Sequence, residues 1–196
     1  MNCSMRVANP LSTLRLAILG LLAGEPRSGY DLRRVFTTTP LGHFSSSPGA
    51  IYPALERLAD EGLVRGVVAD PAAGRPRVVY SLTPAGEAAL DAQLALPVTP
   101  EDVIWAFDHV ILRFAFMDRL DRAAALRFLA QVRDGAEAYV RHLESVREGM
   151  PSLPSPVPRL ALEHGIRSYR SHAEWARAAI AELESGSRRK TGRQRR

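Results

Sequence analysis

Cysteine is nearly absent: Cys3 is the single one in 196 residues. That excludes an intrachain disulfide framework and a cysteine metal cluster, and it points to a reducing cytoplasm. Lysine is nearly absent too. Lys190 stands alone, so arginine carries the basic charge almost everywhere, which reads as coding bias rather than as phosphate recognition. No apolar run reaches the roughly 18–20 residues that a membrane helix needs. The run at 14–23 follows Arg6, but it contains Arg15 and lacks a convincing small-residue cleavage pattern, so it does not read as a signal peptide. The signatures of catalysis are missing as well: no G-x-S-x-G, no P-loop, no G-x-G-x-x-G and no H-E-x-x-H. His164 and His172 are eight residues apart and read as surface features, and Glu101-Asp102 reads as helix-dipole pairing rather than a dyad. No catalytic residue, metal site or cofactor is expected.

Positive charge is also lacking where a basic pI would suggest it. Residues 1–96 hold nine Arg against eight Asp and Glu, and residues 97–186 hold eleven Arg against thirteen. Residues 187–196 hold six bases and no acid, so the whole excess lies there. A case for nucleic acid must therefore rest on where individual arginines fall.

What is present is organised around residues 47–84. Ser47-Pro48-Gly49 reads as a helix start, with Ser47 as the cap and Pro48 at the first position. Ile51, Leu55, Leu58 and Ala59 share one face, and Gly62 fits a left-handed stop. Residues 63–68 and 78–82 read as strands around an Asp70-Pro71-Ala72-Ala73-Gly74 turn, and Thr83-Pro84 opens another helix. Upstream, residues 11–23 read as a buried helix, Ser28 caps a second at 29–36, and 37–46 reads as a loop. Three helices and a hairpin give a winged helix-turn-helix over residues 11–96.

Leu96-Pro97-Val98-Thr99-Pro100 reads as a boundary. Thr99 caps a helix over 101–117, whose apolar residues are too dense for one face and call for cover on two sides, hence a partner subunit. A long helix ends near Glu148, residues 151–158 form a proline-stiffened linker, and an amphipathic helix covers 159–184. The expected fold class is mainly α with a small β wing: an N-terminal winged helix-turn-helix plus an antiparallel helical dimerisation domain at 97–186. Residues 1–10 and 187–196 are expected to be disordered.

The candidate DNA contacts follow from this layout. Arg75 and Arg77 near the wing tip suit phosphate or the minor groove. Ser46 and Ser47 precede the recognition helix, Tyr52 flanks its outer face and Arg57 lies on it. Ser28 opens the second helix, where free N–H groups favour phosphate. Tyr30 reads as core. Trp105, Phe107, Phe114, Phe116 and Trp175 form an aromatic set that serves packing and a dimer interface, or lines a ligand pocket.

Residues 16–22, 28–32, 49–64 and 74–86 together resemble the PadR family of bacterial transcriptional regulators. The C-terminal region, with Gly165 and Trp175 on its last helix, is similar to the longer members that carry a separate dimerisation domain. The resemblance implies a homodimer on a pseudo-palindromic operator in double-stranded DNA, and a repressor that a small-molecule effector relieves. It carries Ser47, Tyr52, Arg75 and Arg77 over as DNA contacts. The rival reading is a winged helix that binds proteins and no DNA, favoured by the near-neutral 1–96 segment.

Overall fold

The computed structural model describes residues 11–44, 48–68, 77–151 and 155–193. Its contacts divide the chain into two compact units at Leu96 and Pro97.

The first unit begins with α1 (Thr13–Gly24), capped by the Ser12 hydroxyl, which accepts from the Arg15 N–H. Leu16, Ala17, Ile18, Leu19 and Leu22 of α1 are buried. This helix packs against α3 (Ile51–Asp60), α4 (Pro84–Ala95) and strand β3 (Val78–Leu82). Ile51, Leu55, Leu58, Leu90 and Leu94 complete the core around it, each no more than 1% exposed. Burying such a side chain contributes about 1.5–3 kcal/mol, so this layer dominates the unit's stability.

The recognition helix departs from its expected start. Residues Pro48–Ala50 form a 3-10 turn, and the α-helix proper begins at Ile51 with no side-chain cap on Ala50. Pro53 explains the shift. In a helix opened by Pro48 it would sit in the interior, with no N–H to give and a ring against the preceding turn. Started at Ile51, the helix holds Pro53 in its first turn, where no intrahelical donor is needed. The end matches expectation: Gly62 has φ 71°, its N–H donates to Ala59 O, and the Leu63 N–H donates to Leu58 O. Those two bonds are the Schellman pattern. Within α3, Ala54 is buried and Ala59 is exposed, the reverse of the expected placement of Ala59.

The sheet has a third strand that the hairpin pattern did not announce. β1 (Arg27–Ser28) pairs antiparallel with β3, Arg27 opposite Tyr80 and Ser28 opposite Val79, and β3 also pairs with β2 (Val64–Val68). Two residues are too short to read as a strand, yet they tie the start of α2 (Gly29–Thr38) to the base of the wing. The stretch read as a loop is partly helical: α2 runs to Thr38 and a 3-10 turn follows at Pro40–Phe44. α4 opens as expected, with the Thr83 hydroxyl accepting from the Gly86 N–H and Pro84 in its first turn.

In the second unit, the single helix expected over 101–117 is two helices. α5 (Pro100–Trp105) and α6 (Phe107–Ala115) meet at Ala106, at φ −138° and ψ 34°. The Ile104 carbonyl accepts from the Tyr169 hydroxyl at 2.9 Å, a bond made by a residue 65 positions away. The break re-aims the dense apolar residues, which one straight helix could not bury together. At the start of α5, Thr99 and Asp102 form a capping box, with N···O distances of 2.9 and 3.2 Å.

α7 (Arg122–Gly149), capped by Asp121, packs along α8 (Val157–Arg193). Val103, Val110, Met117, Phe128, Leu129, Val132, Ala136, Ala173 and Ala176 form their shared core. α8 continues to Arg193, beyond the expected end at 184. Gly186 is the weakest helix former between Glu184 and Thr191, and no proline follows to stop the helix.

Candidate nucleic-acid interface

Ser28 and Asp31 form a capping box at the start of α2. The Asp31 N–H donates to Ser28 Oγ at 3.1 Å, and the Ser28 N–H and hydroxyl donate to Asp31 Oδ2 at 3.3 and 2.6 Å. The Ser28 bonds lower the Asp31 pKa, with Arg77 and Arg27 adding to the effect and burial opposing it. Ser28 is buried and its hydroxyl is taken. The hydroxyl thus fixes the start of α2, and Ser28 takes part in lining a groove from a buried position.

The next two residues open the surface. Gly29 lies under the Tyr52 ring, and a Cβ there would stand 2.6 Å from Tyr52 Cε1. Tyr52 thus fills the inward space above α2, and Tyr30 is turned out. Tyr30 is 57% exposed and Tyr52 45%, so the expectation of a core Tyr30 is corrected. Arg77, at the foot of β3, holds its guanidinium carbon 5.6 Å from the Tyr30 ring centroid. Such a cation–π contact contributes about 0.5–1 kcal/mol at an exposed site, enough to bias where the arginine sits.

One open groove of about 620 Å³ is lined by Ser28, Gly29, Tyr30, Tyr52, Arg77, Val78 and Tyr80. Three elements meet there: the start of α2, the first turn of α3, and β3 with the residue that precedes it. Burial raises the Tyr80 pKa, helped by Glu56 and Tyr52, so the phenol stays protonated and can donate. The groove offers phenolic hydroxyls, one guanidinium and apolar ring faces, the donor set that a sugar–phosphate strand takes. Arg57 is exposed on α3 but outside the groove lining. Ser46, Ser47 and Arg75 lie outside the described residues. Tyr80 and Val78 were missed as site residues, although strand alternation puts them on one face of β3; what was needed was the pairing with β1.

The aromatic set of the second unit divides. Phe107 and Phe114 meet the Trp175 ring edge-on at 6.3 and 5.2 Å, and Phe114 stacks on Phe128. Phe116 is half-buried at the end of α6. Trp105 stands apart, 80% exposed, because the break at Ala106 sends it outward. His172 stacks on Phe107 at 3.5 Å, and burial lowers its pKa while Asp108 opposes the shift. Among the described residues no group of three or more His, Cys, Asp or Glu is placed to hold a metal, and no helix is long and apolar enough to cross a membrane.

A three-stranded wing, a short recognition helix and a tyrosine–arginine groove define a winged helix-turn-helix protein with a helical second unit. Residues 18–92 match the Transcriptional regulator PadR-like family, and residues 108–184 match Virulence activator alpha C-term. The chain is a PadR-like transcriptional regulator with a C-terminal extension, and the relatives it matches are transcriptional regulators, a non-enzymatic role. It is similar to the negative transcriptional regulator PadR of Bacillus subtilis (strain 168), with 26% identity over 184 residues, covering 89% of this chain and 99% of that protein. Solved structures of Bacillus subtilis PadR are similar as well. The complex with operator DNA shows 28% identity over 87% of this chain and 98% of that one, at a TM-score of 0.40. The complex with p-coumaric acid shows 25% identity over 88% and 99%, at a TM-score of 0.39.

Proposed function

We propose that this regulator is a cytoplasmic homodimeric repressor that binds a pseudo-palindromic operator in double-stranded DNA. The observation that carries the reading is the groove in which Tyr30, Tyr52 and Arg77 converge from three elements. A phosphate strand seated there would leave the outer face of α3, with Pro53 and Arg57 exposed, to meet base edges in the major groove. The repressive sign follows the Bacillus subtilis relative, a negative regulator. Dimerisation is assigned to the helical unit, where Trp105 offers a large apolar surface to a second copy. A small aromatic effector, held beside Phe107, Phe114 and Trp175, would relieve repression by favouring a dimer geometry that fits the operator poorly.

The test is a fluorescence-anisotropy titration with the DNA upstream of the protein's own gene, at two salt concentrations, beside a scrambled duplex. The expected result is tight, salt-dependent binding with a clear preference for the native DNA. Binding to neither duplex, with a genome-wide DNA selection also empty, would leave a winged helix that serves a protein partner. Adding p-coumaric acid as a probe is expected to lower the anisotropy and quench tryptophan fluorescence; the absence of both changes would remove an aromatic acid from the scheme.

A further inference from the structure

We infer that a cleft beside α2, walled by Arg27 and Arg34, is a second seat for duplex phosphate, next to the one at Arg77. The inference rests on the DNA-binding reading above. The cleft holds about 420 Å³, and Glu25, Asp31 and Thr38 complete its polar lining. Its first support is the Arg27 Nε–H, which is buried and has no hydrogen-bond acceptor among the described residues. A buried donor in that state costs free energy, and an oxygen seated in the cleft would relieve it. Arg34 stands at the same cleft, exposed and in no ion pair among the described residues. Two guanidinium groups converging on one space suit an anion with several acceptor oxygens, as a phosphate has.

The two carboxylates of the cleft do not close it to an anion. Asp31 Oδ2 already accepts from the Ser28 N–H and hydroxyl. Glu25 pairs with Arg27 Nη2 at 2.7 Å, but its side chain is 63% exposed, and a pair so open to water holds weakly. An arriving phosphate can therefore displace Glu25 and take the Arg27 guanidinium. The Thr38 hydroxyl is donated to the Arg34 carbonyl at 2.8 Å and serves as wall. The second support is where the cleft lies. Tyr30, Arg34 and Thr38 recur at four-residue spacing, so they stand in one row along α2. The row starts in the tyrosine groove, where Arg77 lies over Tyr30, and ends at the cleft. Arg27 and Ser28 are neighbours in the chain, the first lining the cleft and the second the groove. A helix with its side chains is about 10 Å across, and phosphates follow one another at about 3.4 Å of axis along a strand. One strand can thus run from Arg77 to Arg34 within a few phosphates.

The experiment uses the full chain and a short duplex of random sequence, titrated by anisotropy over a series of salt concentrations. Arg34→Gln is expected to lower the slope of log K against log salt by about 0.9, and Arg34→Lys to keep it, since either cation releases counterions. Arg33 is exposed on the same helix but outside the cleft, so Arg33→Gln is expected to leave the slope unchanged. Glu25→Gln removes the carboxylate that competes for Arg27 and is expected to raise affinity about threefold. An unchanged slope in Arg34→Gln, an equal fall in Arg33→Gln, or the lack of a gain in Glu25→Gln overturns the inference while leaving the operator reading intact. Failure of the unmodified chain to bind any duplex overturns the operator reading and this inference together. Inorganic phosphate, added at constant ionic strength, forms a parallel arm. If it raises the melting temperature of the unmodified chain but not of Arg34→Gln, while both give the same DNA slope, the cleft belongs to a free anion and the inference fails.

Discussion

At the scale of single residues, Gly29 and Arg77 decide what the groove can do. Gly29 is required by a close approach: its missing Cβ leaves room for the Tyr52 ring. The ring is 45% exposed and can swing out, so Gly29→Ala is expected to change the melting temperature little. The same swing removes Tyr52 from the groove, and affinity for DNA is expected to fall about tenfold, or about 1.4 kcal/mol. Calorimetry beside an anisotropy titration reads both; unchanged affinity would take Tyr52 out of the interface. Arg77→Ala is expected to weaken binding equally for native and scrambled DNA and to reduce the salt slope by about 1, because it removes one phosphate contact. A loss confined to the native sequence would make Arg77 a base reader instead. The position of Arg77 beside the wing was legible in the sequence. The exposure of Tyr30 was not, because a tyrosine on the first turn of a short helix looks the same in or out until Tyr52 is seen to hold the inner space.

At the scale of elements, the joint between α5 and α6 shows how one hydroxyl and one imidazole organise a helix break. Tyr169 takes the Ile104 carbonyl, and His172 stacks on Phe107 immediately past the break. Burial lowers the His172 pKa, so the unfolded chain binds a proton at higher pH than the folded one. The stability it contributes is complete above the ordinary histidine value of 6.5 and is lost as pH falls below it. His109, whose pKa burial also lowers, acts in the same direction. Thermal melts at about pH 7.5 and about pH 5 are expected to show a lower melting temperature in acid, across the window where histidine titrates. In His172→Phe that gap is expected to narrow without vanishing. A gap as wide as in the unmodified protein would remove His172 as its cause. The break itself had no glycine or proline to mark it. It exists because Val103, Val110 and Leu112 must all be buried against neighbours that a straight helix cannot reach at once.

At the scale of the whole molecule, the exposed Trp105 is the feature that a single copy leaves unexplained. An indole 80% exposed costs hydration that a second copy would relieve. Trp105→Ala is expected to shift the protein from dimer toward monomer in sedimentation-velocity runs, raising the dimer dissociation constant about tenfold or more, at least about 1.4 kcal/mol. Unchanged sedimentation would place the interface elsewhere on the helical unit.

The sequence by itself determined the elements whose causes are local. Gly62 had to end α3, Thr83-Pro84 had to open α4, and Thr99 with Asp102 had to open α5, because capping and left-handed backbone depend on a few neighbouring atoms. The run of β-branched and aromatic residues at 78–80 marked β3 in the same way. Tertiary structure alone decided the pairing of Arg27 and Ser28 with β3, the break at Ala106 and the burial of Ser28. It alone brought Tyr30, Tyr52, Tyr80 and Arg77 into one groove. Each of these joins residues far apart in the chain, and their free energy comes from packing and hydrogen bonds that exist only once distant segments have met.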